Sequence, residues 1–207
     1  MSARAESSAA GRLRLVVATA NPHKLSEIAA ILGSAVELVA RPTDMGDVAE
    51  NGATLEANAR LKATAVCSHT GEPAVADDTG LEVAALAGAP GVRSARYGGE
   101  DATDAANREL LLANLQGITD RSAQFCTVAM VVYPDGSEVV AVGITTGHIC
   151  DFPRGDNGFG YDSVFVPTQA ACDGKQAKTF AEMTAADKNA LSHRGKAFRA
   201  LATKLGV

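Results

Sequence analysis

Short blocks of β-branched and leucine residues alternate along the chain with stretches in which apolar residues recur every three or four positions. RLRLVVATA (12–20) is rich in Val and Leu and predicts a strand; NPHKLSEIAAIL (21–32) sets Leu25, Ile28, Ala29 and Leu32 at helical spacing. AVELVA (35–40) reads as a second strand, RPTDMGDVAENGA (41–53) as a loop, and TLEANARLKATAVCSH (54–69) as a helix with a small-residue face. PAVADD (73–78) predicts a short strand ending in acids, and GAPGVRSARYGGED (88–101) a glycine-punctuated loop. DATDAANRELLLANL (101–115) forms a further helix.

The pattern then changes period. AQFCTVAMVVY (123–133) and SEVVAVGITTGHI (137–149) are long β runs joined by a turn around Pro134 and Gly136, a hairpin. Strand–helix alternation at both ends of a central hairpin predicts an α/β fold with a mixed rather than purely parallel sheet. Near the C-terminus, Thr184 and Asp187 fit a capping box. On one continuous helix Arg194 falls inside the apolar stripe of Leu191, Phe198 and Leu201; a break at Ser192 would instead put His193 and Arg194 at a helix start. Either way a guanidinium there needs an anion, because burying it alone is costly.

Composition narrows the class. With 207 residues, 46% apolar and 21% charged, the chain suits one domain over 12–207 behind a disordered tail, 1–11. A net charge of −5 argues against broad binding to nucleic acid or an anionic membrane, and leaves room for a small anion in a local cationic pocket. No apolar run reaches the roughly 20 residues of a membrane span. Cys67, Cys126, Cys150 and Cys172 are widely spaced without a C-x-x-C pair, which reads as buried, reduced thiols in a cytoplasmic protein.

Four segments could carry chemistry. In ATANPHK (18–24) a strand gives way to a turn holding Thr19 and Asn21, Pro22 suits a helix start and Lys24 lies in the first turn. That is either a phosphate cradle at a helix N-terminus or simple capping by Asn21. In VADDTG (75–80) adjacent carboxylates point to opposite sides of an extended strand, so one can face a cleft. Asp78, with Glu50 from the preceding loop, suits Mg²⁺; the plainer reading makes Asp78 and Thr79 turn residues. FPRGDNGFGYDSVF (152–165) gathers four of the chain's nine aromatics among glycines. Phe159 and Tyr161 there either stack on a flat ligand or close over core. Lys188, His193 and Arg194 complete a cationic group. Together these suggest a nucleoside triphosphate site, although neither G-x-x-x-x-G-K-[ST] nor G-x-G-x-x-G occurs.

TANPHK (19–24), ADDTGLEVAALAGAPGVRSARYGG (76–99), GFGYDSVF (158–165) and TFAEMTAADKNALSHRGKA (179–197) closely resemble, in order, the motifs of the inosine/xanthosine triphosphate pyrophosphatase family. Ala20 stands where many members have Gly, Thr79 where many have Ser, and Ser163 where Pro is usual. The resemblance implies an elongated mixed β-sheet with flanking helices, two lobes around a groove, and a homodimer. It implies Mg²⁺-dependent hydrolysis of ITP, dITP and XTP to the monophosphate and pyrophosphate; the alternative is a non-catalytic nucleotide-binding regulatory module. It further implies that Thr19, Ala20, Asn21, Pro22, His23 and Lys24 hold the phosphates with Thr79. Asp78 would be the acidic catalytic residue, as general base or metal ligand, with Glu50 helping to bind Mg²⁺. Phe159, Gly160, Tyr161, Asp162, Lys188, His193 and Arg194 would receive the nucleoside.

Overall fold

A computed structural model describes residues 12–170 and 177–207; the predicted tail and Cys172 lie outside the described residues. Strands β1 (Leu13–Val17), β2 (Val36–Ala40), β3 (Ala74–Val83), β4 (Pro90–Gly91), β5 (Ser122–Val132), β6 (Glu138–Ile149) and β7 (Phe165–Pro167) share one sheet. Its order is β2-β1-β3-β5-β6-β7, with β4 paired to β3. β1 runs parallel to β2 and β3, and the other pairings are antiparallel, so the sheet is mixed as the pattern predicts.

Helices α1 (Pro22–Leu32), α2 (Leu55–Thr70), α3 (Asp104–Asn114), α4 (Ala185–Leu191) and α5 (His193–Leu205) surround it. Leu15, Val17, Val75 and Val131 pack with Ile28 of α1 and Phe198 and Leu201 of α5. The alternate residues Val16, Ala74, Ala76 and Met130 pack with Ala59, Ala63 and Val66 of α2. Both faces are thus buried, which is why these strands read as nearly continuous apolar runs. A third cluster, Leu81, Val83, Phe125 and Phe165 with Leu111 and Leu115, occupies the far ends of β3 and β5. Asp77, Asp78 and Thr79 fall between Ala76 and Leu81, on the stretch of β3 that links these cores.

Three expectations change, and the open choice at Ser192 is settled. β3 does not end at the acids: Thr79, Gly80 and Leu81 continue opposite Thr127, Cys126 and Phe125, because Leu81 and Val83 still have core to fill. The C-terminal helix breaks at Ser192, whose backbone is extended (φ −69°, ψ 155°) and whose hydroxyl accepts from Gly195 N at 3.0 Å. Thr184 caps α4, but the Asp187 carboxylate returns to the Thr184 hydroxyl rather than to its backbone; the reciprocal capping box is Thr179 with Glu182. Cys67 is buried as expected, whereas Cys126 and Cys150 are only half-buried; all three are free thiols.

A glycine on β6 brings α5 onto the sheet. A Cβ on Gly143 would stand 2.1 Å from the His193 carbonyl oxygen and 2.4 Å from Ala197 N. No other residue lets the start of α5 lie this close, and that start carries His193 and Arg194.

Candidate active site

Asp78 and Thr79 of β3 border a cavity of about 390 Å³, with Asp77 buried beside them. Because β3 stays extended, its two carboxylates diverge. Asp77, with no side-chain exposure, meets Lys24 of α1 at 3.3 Å and the Arg194 guanidinium of α5 at 3.1 and 3.2 Å. Asp78 meets α2, accepting from Lys62 Nζ at 2.9 Å and Asn58 Nδ2 at 3.2 Å. Glu50 Oε1 lies 3.2 Å from the same ammonium. The loop carrying Glu50 is anchored on both sides: Asn58 Oδ1 accepts from Gly52 N at 2.8 Å, and Arg96 donates to the Glu50 carbonyl at 2.7 Å.

These surroundings push the paired acids apart. Burial alone would raise Asp77, but Lys24, Arg194 and Lys62 outweigh it and hold the carboxyl well below the usual range. Burial lifts Asp78 above that range, against the pull of Lys62. Burial also lowers Lys24, which Asp77 partly offsets; for Lys62 the burial penalty is outweighed by Asp78, Asp77 and Glu50, which keep it protonated. Asp77 is therefore a fixed anion that holds cations in place, and Asp78 is the more basic carboxylate. Neighbouring acids with divergent proton affinities are what acid–base chemistry requires.

Thr19, Ala20, Asn21 and Lys24 line one wall; Pro22, at the first position of α1, and His23 do not. Asn21 Oδ1 accepts from His23 N and Lys24 N at 2.9 and 3.2 Å, and Thr19 Oγ1 accepts from Asn21 N at 3.1 Å. The helix cap thus occupies several backbone donors itself, and Lys24 is the charged group this wall presents.

An adjoining wall carries Phe159, Gly160, Tyr161, Asp162, Lys188, His193 and Arg194. The aromatic segment divides its labour: Phe152 is exposed, Phe165 is core, and only Phe159 is a half-buried ring in the cavity wall. Tyr161 also borders the cavity but packs with the third cluster, its hydroxyl donating to Ser94 O at 2.8 Å. Phe159 stacks on His23 (centroids 5.4 Å apart, 19° between planes), with Lys188 Nζ 5.0 Å and the Arg194 guanidinium carbon 5.6 Å from its centroid. Asp162 fixes the ring's backbone, accepting from Phe159 N at 2.9 Å. A Cβ on Gly158 would stand 2.1 Å from that carboxylate, and the glycine's φ is +76°. α3 grips the next peptide: Gly160 N donates to Asp104 at 2.7 Å, and Arg108 donates to Gly160 O at 2.8 Å. His193 is buried, its Nδ1 2.7 Å from Thr127 Oγ1; burial, with Arg194 and Lys188 nearby, drives its pKa far down, so the ring is neutral.

The sequence model of the Ham1 family matches residues 15–204. The chain belongs to the Ham1 family. It is 49% identical over 203 residues to a dITP/XTP pyrophosphatase of Frankia alni, covering 93% of this chain and 97% of that one. Among solved structures it resembles a HAM1 protein from Coxiella burnetii (TM-score 0.83, 38% identity, 94% and 98% of the two chains). It also resembles a nucleoside-triphosphatase, dITP/XTP pyrophosphatase, from Mycobacterium abscessus (TM-score 0.72, 45% identity, 94% and 100%).

In this Ham1 family member several residues at the site went unnamed in the sequence reading. Asn58 and Lys62 had a signal: with Leu55, Ala59, Ala63 and Val66 they fall on the buried stripe of α2, where an amide and an ammonium need polar partners. Asp77 was half-visible as the other member of the acid pair. Thr127 becomes visible only once β5 is in register, opposite Thr79 at 2.6 Å between hydroxyls. Glu27 had no local signal, since its partners Lys188 and Arg194 lie 161 and 167 residues away.

Proposed function

We propose that this Ham1 family member hydrolyses purine nucleoside triphosphates with a 6-keto base (ITP, dITP and XTP) to the monophosphate and pyrophosphate. The observation that carries the reading is the split acid pair: a basic Asp78 beside Lys62, in the same cavity as Lys24 and a ring flanked by cations. A water oxygen attacks the α-phosphorus and gives its proton to Asp78; the bond to the bridging oxygen breaks, and its electron pair leaves with pyrophosphate. Lys24 and Lys62 stabilise charge on the phosphate oxygens.

Mg²⁺ fits the acid side. Asp78 and Glu50, which both border the cavity, offer only oxygen ligands. Among the described residues no group of three or more His, Cys, Asp or Glu side chains could hold a metal alone. Mg²⁺ commonly takes one or two carboxylates and completes its shell with water and substrate phosphates. Asp78 and Glu50 would hold it, and when bound it neutralises phosphate charge.

Selectivity against adenine follows from donors on the aromatic wall: Lys188 and Arg194 can only donate, so a 6-keto oxygen pairs where the adenine amino group meets donor with donor. Guanine shares the 6-keto oxygen and is rejected instead at its 2-amino group. Each buried donor left unpaired costs about 1–3 kcal/mol. We further propose a homodimer working in the cytoplasm. Val142 and Ile144, alternate residues on one face of β6, are 51% and 45% exposed and suit a second subunit; the free thiols suit a reducing compartment. Among the described residues no helix is long and apolar enough to cross a membrane. Incubation with Mg²⁺ and ITP, XTP, dITP, ATP or GTP tests the activity: pyrophosphate should appear from the first three, and orthophosphate or no product would refute it.

A further inference from the structure

Arg41 is the first residue past β2, and it borders the cavity. Its Nη2 donates to the Met45 and Gly46 carbonyls at 2.7 and 2.6 Å, which holds the start of the loop that carries Glu50. We propose that the rest of this guanidinium receives the terminal phosphate of the triphosphate, so that Arg41 reads phosphate-chain length and grips the leaving pyrophosphate. This deepens the proposed function and rests on its nucleotide reading.

Arg41 differs from the other cations of the cavity. Lys24, Lys62, Lys188 and Arg194 each have a carboxylate oxygen within 3.3 Å, so their charge is met by the protein's own anions. A guanidinium has five N–H groups. With Nη2 occupied by two carbonyls, the three on Nε and Nη1 of Arg41 have no hydrogen-bond partner among the described residues. Its one ion-pair partner among them, Asp47, is 3.8 Å from Nη1, and the Asp47 side chain is 98% exposed while that of Arg41 is 15% exposed. A guanidinium held by neutral carbonyls keeps its charge for an incoming anion, and its planar fork suits phosphate. Arg96 also lacks a close carboxylate, with Glu100 at 3.7 Å, but it follows β4, which pairs with the Leu81 end of β3.

The place of Arg41 in the sheet gives the direction of the phosphate chain. Ala40 pairs with Val17, so β2 leaves the sheet at Arg41 beside the exit of β1 toward Thr19 and Lys24. β3, with Asp78, is the next strand. β5 and β6 lie beyond it and carry Thr127 and Gly143, against which His193 sits. Across the sheet the cavity therefore runs from Arg41 to Lys24, then Asp78, then His193 of the nucleoside wall. A triphosphate with its base at the His193 end and its α-phosphorus at Asp78 sends its outer phosphates toward Lys24 and then Arg41.

The test titrates inorganic pyrophosphate, orthophosphate and IMP into wild type and Arg41→Met by calorimetry without divalent metal, and measures kcat and KM for ITP with Mg²⁺. Pyrophosphate should bind the variant at least about tenfold more weakly, the weight of one hydrogen bond to a charged group, while IMP affinity stays within about twofold. A merely structural clasp would act otherwise: loosening the loop that carries Glu50 would lower kcat for ITP and leave metal-free pyrophosphate binding alone. Equal pyrophosphate affinity in the two proteins would overturn the proposal, as would a wild type that binds pyrophosphate no more tightly than orthophosphate. If Arg41→Met does not fold, Arg41→Lys replaces it; an ammonium that holds both carbonyls has one N–H left, so an unchanged pyrophosphate affinity there overturns the proposal instead. Weakened pyrophosphate binding in the variant, with no ITP hydrolysed by either protein, would uphold the proposal and sink the hydrolytic reading alone.

Discussion

Substituting each acid of the pair in turn should separate stability from turnover. Asp77→Asn removes the one fully buried anion shared by Lys24 and Arg194. Removing one partner of a buried ion pair costs about 3–5 kcal/mol; Arg194 keeps Glu27, so the lower end, about 3 kcal/mol, applies. For a chain of this length that lowers Tm by about 6–12 °C. The effect has a pH signature. The folded-state Asp77 carboxyl lies below its unfolded value of about 3.9, so its contribution is present above that value and lost as pH falls through the folded one. The Tm gap between wild type and variant should be widest above about pH 5 and close on acidification. Asp78→Asn behaves differently. Burial already disfavours its charged form, so the amide should leave Tm within about 3 °C of wild type while turnover drops about 10²–10⁴-fold. Calorimetric melts from pH 3 to 8, with pyrophosphate release from ITP on the same samples, give both readings. Equal Tm losses in the two variants, or a wild-type rate in Asp78→Asn, would refute this division of roles.

Three further outcomes follow from the same geometry. Lys62 pulls the Asp78 carboxyl down against burial, so in Lys62→Met the acidic limb of kcat/KM for ITP should move to higher pH; an unmoved limb would detach Lys62 from the acid. Phe159→Ala should raise KM for ITP by about 5–150-fold, the equivalent of about 1–3 kcal/mol of lost stacking, and an unchanged KM would place the base elsewhere. Val142→Glu with Ile144→Glu should sediment as a monomer if β6 carries the subunit contact; a dimer of unchanged strength would send the interface to another face.

The mixed sheet was legible because its strands are long and apolar and its helices carry plain caps: Asn21, Thr54, Thr103, Thr184 and Ser192 each accept from the first turn they open. The break at Ser192 stayed open in the sequence because Arg194 fits the stripe of a continuous helix as a misplaced charge; Asp77 and Glu27 now account for that charge. Tyr161 could be read either way, since rings between glycines suit a ligand or a core, and it does both: its ring packs with the third cluster, its hydroxyl donates to the Ser94 carbonyl, and it still borders the cavity. The end of β3 was misjudged because Asp-Asp-Thr-Gly has the composition of a turn, and only pairing with β5 keeps it extended. Asn58 and Lys62 were readable by the argument used for Arg194, applied to α2. Glu27 and Thr127 were not, because their roles exist only between elements distant in sequence.

The central claim is that water, activated at Asp78, attacks the α-phosphorus of a 6-keto purine triphosphate. Hydrolysis of ITP with Mg²⁺ in H₂¹⁸O, followed by mass spectrometry of the products, tests it most directly. One ¹⁸O should appear in IMP and none in the pyrophosphate; label in the pyrophosphate or in orthophosphate would contradict the account.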